Sequence, residues 1–239
     1  MRPKIISHMI CSIDGRLIPG RWSKPDPKGE QDLILPIYDE AAQRLGGDGW
    51  IVGRRTMEPM VKRCEGAAES QASTLPEPHR AERSAGALAI AIDLQGKLKP
   101  EEGHVLGDHY VSVLAGKVNS KVLSELDAAG ASYVFAGMDG ADLNAAMESI
   151  GSIFGVQTLL LEGGGVTNGQ FLKAGLIDEI SLLVYPGIDG LAGTPSIFEF
   201  VGQSDEKPAD GKFLRFLSSE VMRGGVCWMR YSVHSLQEA

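Results

Sequence analysis

Cysteine is scarce in this sequence. The chain of 239 residues contains three, Cys11, Cys64 and Cys227. No two of them stand in C-x-x-C spacing, so the sequence gives no signature of a zinc site or of a redox dithiol, and we predict no metal centre. A sparse and odd cysteine count is typical of a protein that works in a reducing compartment.

Long hydrophobic runs are missing as well. Near the start of the chain, Lys4, Ser7, His8 and Ser12 interrupt the apolar residues that a signal peptide would need. No apolar run approaches the roughly 18–20 residues of a membrane span. The sequence therefore predicts a soluble, cytoplasmic protein with no membrane partner.

Positive charge is in deficit. The 23 Lys and Arg residues are outnumbered by 31 Asp and Glu residues, which gives a formal net charge of −8 at pH 7. This balance argues against nucleic acid as a partner, because phosphate backbones are bound by clustered Lys and Arg. It is still compatible with a local basic pocket for one anionic ligand.

Short apolar strands alternate with helical segments along most of the chain. "WIVG", "ALAIAI", "HYVSVLAG", "SYVFAG" and "QTLLLEGGG" are strand-like, and segments such as "VNSKVLSELDAAG" between them have helical patterns. This alternation predicts a mostly parallel sheet covered on both faces, in a single α/β domain over residues 1–239. "DEISLLVYPGI" and "FLRFLSSEVMRGGVCWMRYSV" follow without helices and predict antiparallel C-terminal strands, the last forming a hairpin around Arg223–Gly225. The polar segment Val61–Gly86 is predicted to be a surface excursion.

A glycine triplet interrupts one strand-to-helix transition. In "LLLEGGGVTNGQFLKAGL", an apolar strand stops at Glu162 and three glycines lead into a helix, which Thr167 or Asn168 would cap. Glycines allow the backbone to approach a ligand closely, and the first turn of a helix offers unpaired N–H groups and partial positive charge. The segment predicts a phosphate-binding turn at the carboxyl end of a strand. A sharp turn without a ligand is the alternative, and the spacing is not that of the G-x-G-x-x-G fingerprint.

Two other strand ends carry glycine and a cation. Gly53 closes "WIVG" and is followed by Arg54, Arg55 and Thr56, while Gly116 and Lys117 follow "HYVSVLA". Arginine pairs well with phosphate, so these strand ends could line the same crevice as the glycine triplet. Ordinary exposed turns with solvated cations are the alternative.

Taken together, "SIDG", "VGRRT" and "LLLEGGGVTNGQFLKAGLIDEISLLVYP" resemble one family, the reductase domain of riboflavin biosynthesis. This RibD C-terminal domain family belongs to the dihydrofolate-reductase-like superfamily. The resemblance covers most of the chain and implies a three-layer α-β-α fold, NADPH as cofactor and a homodimer. It implies hydride transfer from the nicotinamide to a small heterocyclic or ribosylamino substrate, as in 5-amino-6-(5-phosphoribosylamino)uracil reductase.

The resemblance also assigns roles to residues. Glu162 would face the substrate as a catalytic residue, and Asp14 would hold the turn of the first strand beside the pocket. Cys11 would lie near the nicotinamide, and Thr56 would contact the dinucleotide. The contacts to the dinucleotide along the glycine-rich segment would come from Gly163, Gly164, Gly165, Val166, Thr167, Asn168, Gly169 and Gln170. Arg54, Arg55 and Lys117 are the candidates for the 2′-phosphate, beside Gly53 and Gly116.

The chain departs from the family pattern in two places. His8 stands where many members have lysine; it could donate a hydrogen bond or a proton, or be a half-buried strand histidine. "MEPMVKR" follows the VGRRT block in place of the Asp-Asp-Pro of bacterial members. Two alternatives therefore stay open, a dihydrofolate-type reductase and a non-catalytic nucleotide-binding dimer.

Overall fold

The computed structural model describes residues 1–24, 26, 29, 32–63, 73–83 and 86–236. The chain divides into two compact units that are both discontinuous in sequence. The first unit comprises Met1–Lys4 and Gly47–Leu159, and the second unit comprises Ile5–Gly46 and Leu160–Ala239. The single domain over residues 1–239 stays a prediction.

The first unit is built on parallel strands. Its strands are β2 (Gly49–Gly53), β3 (Lys62–Arg63), β4 (Leu88–Ile92), β5 (Leu98–Lys99), β6 (His104–Val105), β7 (Asp108–Leu114) and β8 (Ser132–Phe135). Its helices are α2 (Arg54–Met57), α3 (Ser120–Ala128) and α4 (Leu143–Phe154). Strand β2 pairs with β4, β4 with β7 and β7 with β8, all in parallel, while β6 is antiparallel to β7.

The second unit combines parallel and antiparallel pairing. It holds β1 (Lys4–Ser12), α1 (Ile34–Leu45), β9 (Thr158–Gly163), α5 (Gly165–Lys173), β10 (Glu179–Tyr185), β11 (Lys212–Val221) and β12 (Cys227–Ser235). Strand β9 lies next to β1, and β1 runs parallel to β10. Strand β12 is antiparallel to β10, and β11 is antiparallel to β12.

Most of the strand and helix order predicted from the sequence is confirmed. Strands β2, β4, β7 and β8 are fully or almost fully buried runs, as expected for parallel strands that are covered on both faces. The two C-terminal strands form the predicted antiparallel hairpin, with a 3-10 turn at Arg223–Gly225. The two-residue strands β3, β5 and β6 were not predicted, because so short a segment has no readable periodicity. Much of the predicted surface excursion lies outside the described residues.

Helix α1 packs its apolar face inside the second unit. Ile37 and Ala41 are fully buried and contact a cluster that includes Leu183 of β10 and Trp228 of β12. The helix ends at Gly46, whose φ of 70° is the left-handed conformation common at helix C-termini. No helix in the part of the chain that the structure describes is long and apolar enough to cross a membrane.

Candidate functional site

The glycine triplet forms an open helix start. Glu162 is half-buried at the end of β9, and the chain then turns through Gly164, whose φ of 67° and ψ of 136° suit glycine alone. Helix α5 begins at Gly165, and its N-cap, Gly164, makes no side-chain cap hydrogen bond. The first amide donating within the helix is that of Asn168, to the carbonyl oxygen of Gly164 at 3.1 Å. The N–H groups of the first turn therefore have no acceptor within the helix, which suits an anionic ligand.

The prediction that Thr167 or Asn168 caps α5 is wrong. Thr167 and Asn168 lie inside α5 and are buried, so neither of them caps the helix. The N-cap is Gly164, three or four residues before the predicted caps, because Gly164 makes the turn without help from a side chain. This leaves the helix start more accessible to a ligand than a capped one would be.

Two further glycines of the segment, Gly165 and Gly169, have a packing reason. A Cβ atom at Gly165 would lie 2.2 Å from the carbonyl oxygen of Ser196, and one at Gly169 would lie 2.4 Å from that of Glu199. The amide of Glu199 donates to the carbonyl oxygen of Gly165 at 2.8 Å. Asn168 donates from Nδ2 to the carbonyl oxygen of Ile197 at 2.9 Å. The glycines at 165 and 169 therefore let residues 196–200 lie directly against α5.

Asn168 keeps one polar atom without a partner. The residue is fully buried, and its Oδ1 has no hydrogen-bond partner among the described residues. Buried polar atoms are nearly always paired, so this unpaired amide oxygen in the interior is compatible with a bound water. The exposed side chain of Val166 and the half-buried Gln170 complete the predicted segment.

His8 is buried with both ring nitrogens engaged. Nε2 lies 3.2 Å from the carbonyl oxygen of Tyr38, and Nδ1 lies 3.0 Å from the hydroxyl of Ser181. Since a carbonyl oxygen only accepts, the ring proton is on Nε2, and Nδ1 accepts from Ser181. Ser181 accepts in turn from Nε1 of Trp228 at 2.8 Å. Burial lowers the pKa of His8 to about 4, against the backbone hydrogen bonds that raise it, so the ring is neutral at neutral pH.

Tyr38 of α1 packs against His8, and the sequence reasoning missed it. Its ring stacks on that of His8 with centroids 4.3 Å apart, and its hydroxyl donates to the carbonyl oxygen of His8 at 2.9 Å. Burial, then the charge of Glu162, then that of Asp39 raise the pKa of Tyr38 well above its ordinary value, and a side-chain hydrogen bond with Glu162 contributes as well. The available signal was a tyrosine next to the core positions of a helix, whose hydroxyl needs a partner when it is buried.

Asp14 fastens the turn after β1 to the loop after β10. Its carboxylate accepts from the Ser12 hydroxyl at 2.6 Å, from the amide of Asp189 at 3.1 Å and from that of Gly190 at 2.9 Å. These hydrogen bonds, that from Ser12 foremost, hold the pKa of Asp14 well below its usual range. Cys11 is buried on β1, and burial, with a smaller contribution from the charge of Asp14, raises the pKa of its thiol to about 11. Asp14 is thus a fixed carboxylate and Cys11 a neutral thiol at neutral pH.

The remaining predicted residues lie in the first unit, at one edge of its sheet. Gly53 ends β2 opposite Ile92 of β4, which in turn lies opposite Val113 of β7. The strand ends before Arg54 and Gly116 are therefore level with each other on either side of β4. Arg54 forms an ion pair with Glu58 one helical turn later.

Their surroundings differ from one position to the next. Thr56 is half-buried, whereas Arg55 and Lys117 are exposed. A Cβ atom at the buried Gly116 would lie 2.6 Å from a Leu75 methyl group, so this glycine has a packing reason of its own. The amides of Gly116 and Lys117 donate to the carbonyl oxygens of Gly137 and Met138 at 2.9 and 3.2 Å, so these two amides are already engaged.

Comparison with known proteins decides the family. The model of the RibD C-terminal domain matches residues 3–228. The chain belongs to the RibD C-terminal domain family. The resemblance inferred from the sequence is thereby confirmed, together with the dihydrofolate-reductase-like α/β class and the reductase class.

Individual relatives of this RibD C-terminal domain protein support the same family assignment. It is 26% identical over 194 residues to the 2,5-diamino-6-ribosylamino-4(3H)-pyrimidinone 5′-phosphate reductase of Methanothermobacter thermautotrophicus. The aligned region covers 80% of this chain and 81% of the relative. The structure of a pyrimidine reductase-like protein from Corynebacterium diphtheriae matches 97% of this chain and 92% of its own, with a TM-score of 0.66 at 16% identity. The riboflavin biosynthesis reductase of Saccharomyces cerevisiae matches 98% of this chain and 90% of its own, with a TM-score of 0.53 at 12% identity.

Proposed function

We propose that this chain is an NADPH-dependent reductase that acts on a pyrimidine carrying a ribosylamino 5′-phosphate group. The observation that carries the proposal is the family match over residues 3–228, combined with an uncapped helix start directly after Glu162. The substrate class is the one for which the archaeal relative is named.

The residues of α5 fit a dinucleotide. Gly164 has no side chain, and the first turn of a nine-residue helix presents N–H groups and partial positive charge to a pyrophosphate. The reduced nicotinamide, when bound, would supply the hydride, and the protein would supply orientation and exclusion of water. The assignment of Arg54, Arg55 and Lys117 to the 2′-phosphate stays a prediction from the sequence, and Arg54 already has an acidic partner in Glu58.

The residues around Glu162 suit the substrate side. A half-buried carboxylate at the end of a hydrophobic strand accepts hydrogen bonds from sugar hydroxyls or ring N–H groups. Cys11, as a neutral buried thiol, would form an apolar wall rather than act as a nucleophile. Asp14 would keep the adjoining loop at residues 187–190 in place through its three hydrogen bonds.

The experiment is a turnover assay on the purified chain. We expect loss of the reduced-nicotinamide absorbance with NADPH and either 5-amino-6-(5-phosphoribosylamino)uracil or its 2,5-diamino-pyrimidinone counterpart. NADH in place of NADPH tests the cofactor preference. Consumption with dihydrofolate alone would replace the proposal with the folate alternative. A change in NADPH fluorescence on mixing, without consumption of any of these substrates, would favour a non-catalytic nucleotide-binding protein.

Assembly and location belong to the same proposal. We propose a homodimer, for which β11 offers an exposed apolar edge, with Leu214, Phe216 and Val221 between 51% and 74% exposed. A cytoplasmic location remains part of the prediction from the cysteine count.

A further inference from the structure

The loop that follows β10 contacts both the turn after β1 and helix α5. We call residues 186–199 of this loop the strap. At its first end, the amide of Ile13 donates to the carbonyl oxygen of Gly187 at 2.8 Å. At its second end, the amide of Glu199 donates to the carbonyl oxygen of Gly165, the first residue of α5, at 2.8 Å. The strap therefore joins the proposed substrate side of the site to the proposed dinucleotide turn.

Arg21 fastens the strap near its first end. Its Nε and Nη2 donate to the two carboxylate oxygens of Asp189 at 2.9 and 3.1 Å, so the ion pair is bidentate. The Asp189 side chain is fully buried, whereas that of Arg21 is 40% exposed. The Asp189 carboxylate also accepts from the amide of Leu191 at 3.1 Å, and the amide of Asp189 donates to Asp14. Removing Arg21 would leave a buried carboxylate without its cation, which costs more than the loss of an exposed ion pair.

Arg16 fastens the strap closer to α5. Its Nη1 donates to the carbonyl oxygen of Thr194 at 2.9 Å, and its backbone lies opposite Ser196 in an isolated antiparallel bridge. The amide of Leu17 donates to the carbonyl oxygen of Pro195 at 3.0 Å. Nε of Arg16 is buried and has no hydrogen-bond partner among the described residues, so Nη1 makes the hydrogen bond that ties this guanidinium to the strap.

The second end of the strap packs tightly against α5. A Cβ atom at Gly165 would lie 2.2 Å from the carbonyl oxygen of Ser196, and Nδ2 of Asn168 donates to the carbonyl oxygen of Ile197 at 2.9 Å. Because protein interiors are close-packed, a shift of the strap here either displaces the first turn of α5 or breaks these contacts. The position of the strap therefore helps to fix the direction of the N–H groups that begin the helix.

We propose that Arg16 and Arg21 are positioning residues, which hold the strap, and through it the first turn of α5, where that turn binds the pyrophosphate of NADPH. This inference rests on the proposed function, because it needs the dinucleotide at the start of α5. The two side-chain contacts span 178 and 168 residues of sequence, so the glycine-rich segment by itself gives no sign of them. Since both arginines act on the dinucleotide-binding turn, we expect them to set cofactor affinity and not the rate at saturating cofactor.

The first test measures NADPH binding by Arg16→Gln and Arg21→Gln. We expect the dissociation constant of NADPH, from fluorescence titration, to rise about tenfold in R16Q and about threefold in R21Q, because Thr194 is nearer to α5 along the strap than Asp189 is. The KM for NADPH should rise by the same factors, while kcat at saturating NADPH stays within about twofold of the wild-type value. A lower kcat with an unchanged KM for NADPH in both variants would overturn the proposal.

A matched control is available in the same unit. Nη1 and Nη2 of Arg44 donate to the two carboxylate oxygens of Glu220 at 2.6 and 2.9 Å, so this ion pair is bidentate as well. It joins α1 to β11 and does not involve the strap. We expect Arg44→Gln to keep the wild-type dissociation constant of NADPH. An equal loss of affinity in R44Q would show that removing any bidentate arginine of this unit weakens binding, and would overturn the proposal.

Amide hydrogen exchange tests the strap without cofactor and without turnover. In nucleotide-free R16Q and R21Q, we expect the amide of Glu199 to exchange at least about fivefold faster than in the wild type, because its acceptor on α5 is no longer held in place. In R44Q this amide should exchange at the wild-type rate. An unchanged rate in both R16Q and R21Q would overturn the proposal, and R21Q alone decides the matter should R16Q not fold.

The two measurements also separate this inference from the proposed function. Wild-type protein that does not bind NADPH would overturn the proposed function, and the exchange rate of Glu199 would still decide whether the two arginines hold the start of α5. Wild-type protein that binds NADPH, with the same affinity in R16Q and R21Q, would overturn the role of the arginines and leave the proposed function intact.

Discussion

At the scale of the residue, His8 shows how burial sets charge. An unfolded histidine has a pKa of about 6.5, whereas burial lowers that of His8 to about 4 in the fold. Between these values the unfolded chain binds a proton that the folded chain does not bind. The contribution of the neutral ring to stability is therefore complete above pH 6.5 and is lost as the pH falls toward 4.

We predict a corresponding loss of stability in acid. The wild-type free energy of unfolding should fall by about 3 kcal/mol more between pH 7 and pH 4 than that of His8→Gln, which cannot titrate. Urea unfolding at a series of pH values measures both curves. Parallel curves for wild type and H8Q would contradict the prediction.

The sequence predicts individual residues only where a local motif names them. Glu162 and Gly164 were predicted because glycine and a carboxylate at a strand end stand side by side in the sequence. Tyr38 was not, because its partners lie 30 residues away at His8 and on a different strand at Glu162. Such pairs depend on tertiary contacts, and one sequence carries no signal for them.

At the scale of the element, the side of α5 and its N-terminal start have different surroundings. Gly165, Asn168 and Gly169 receive residues 196–200, and the helix start at Gly164 stays open. The sequence predicted the helix and its turn but not this division, because a glycine required by packing and a glycine required by a positive φ look the same in sequence.

We predict that a carboxylate at the start of α5 abolishes cofactor binding. Gly164→Asp would place negative charge and a side chain where phosphate oxygens are proposed, and NADPH affinity should fall at least about 100-fold. Gly175→Asp is the matched control at the other end of the same helix, since Gly175 has a φ of 69° and no atom within 4 Å of an added Cβ. Fluorescence titration with NADPH should find G175D close to wild type.

The pair of variants also separates strain from charge. Both substitutions put aspartate at positive φ, so both lose some stability, which thermal unfolding reports. Equal NADPH affinity in G164D and wild type would show that the dinucleotide binds elsewhere.

At the scale of the whole molecule, the sequence predicted the succession of strands and helices along the chain and the antiparallel strands at its C-terminal end. Alternating strands and helices leave local periodicities, and those periodicities are confirmed in both units. The discontinuity of the units was not predicted, because the pairing of β1 with β10 joins residues such as Ile6 and Glu179 from opposite ends of the chain. Nothing local in either strand specifies the other.

We predict that β11 mediates dimer formation. The strand lies at the end of the strand order, and Phe216 is 61% exposed on it. Phe216→Lys should convert the proposed homodimer to a monomer, since a charge on an edge strand opposes pairing with a second copy. Light scattering during gel filtration gives the mass. Leu106→Lys, at a residue 81% exposed in the first unit, should leave the mass unchanged.

Two outcomes of this experiment count against the prediction. A wild-type protein with the mass of one chain would end the homodimer proposal. A dimeric F216K would move the interface away from β11.

The discontinuous second unit has a consequence for synthesis. Ile5–Gly46 leaves the ribosome long before Leu160–Ala239, because the whole of Gly47–Leu159 is made in between. At the usual 5–20 residues per second this interval is on the order of ten seconds. During this interval the apolar side chains of β1 and α1 lack β10 and β12, which pack against them in the folded unit. We therefore expect the nascent chain to bind chaperones that shield exposed hydrophobic segments.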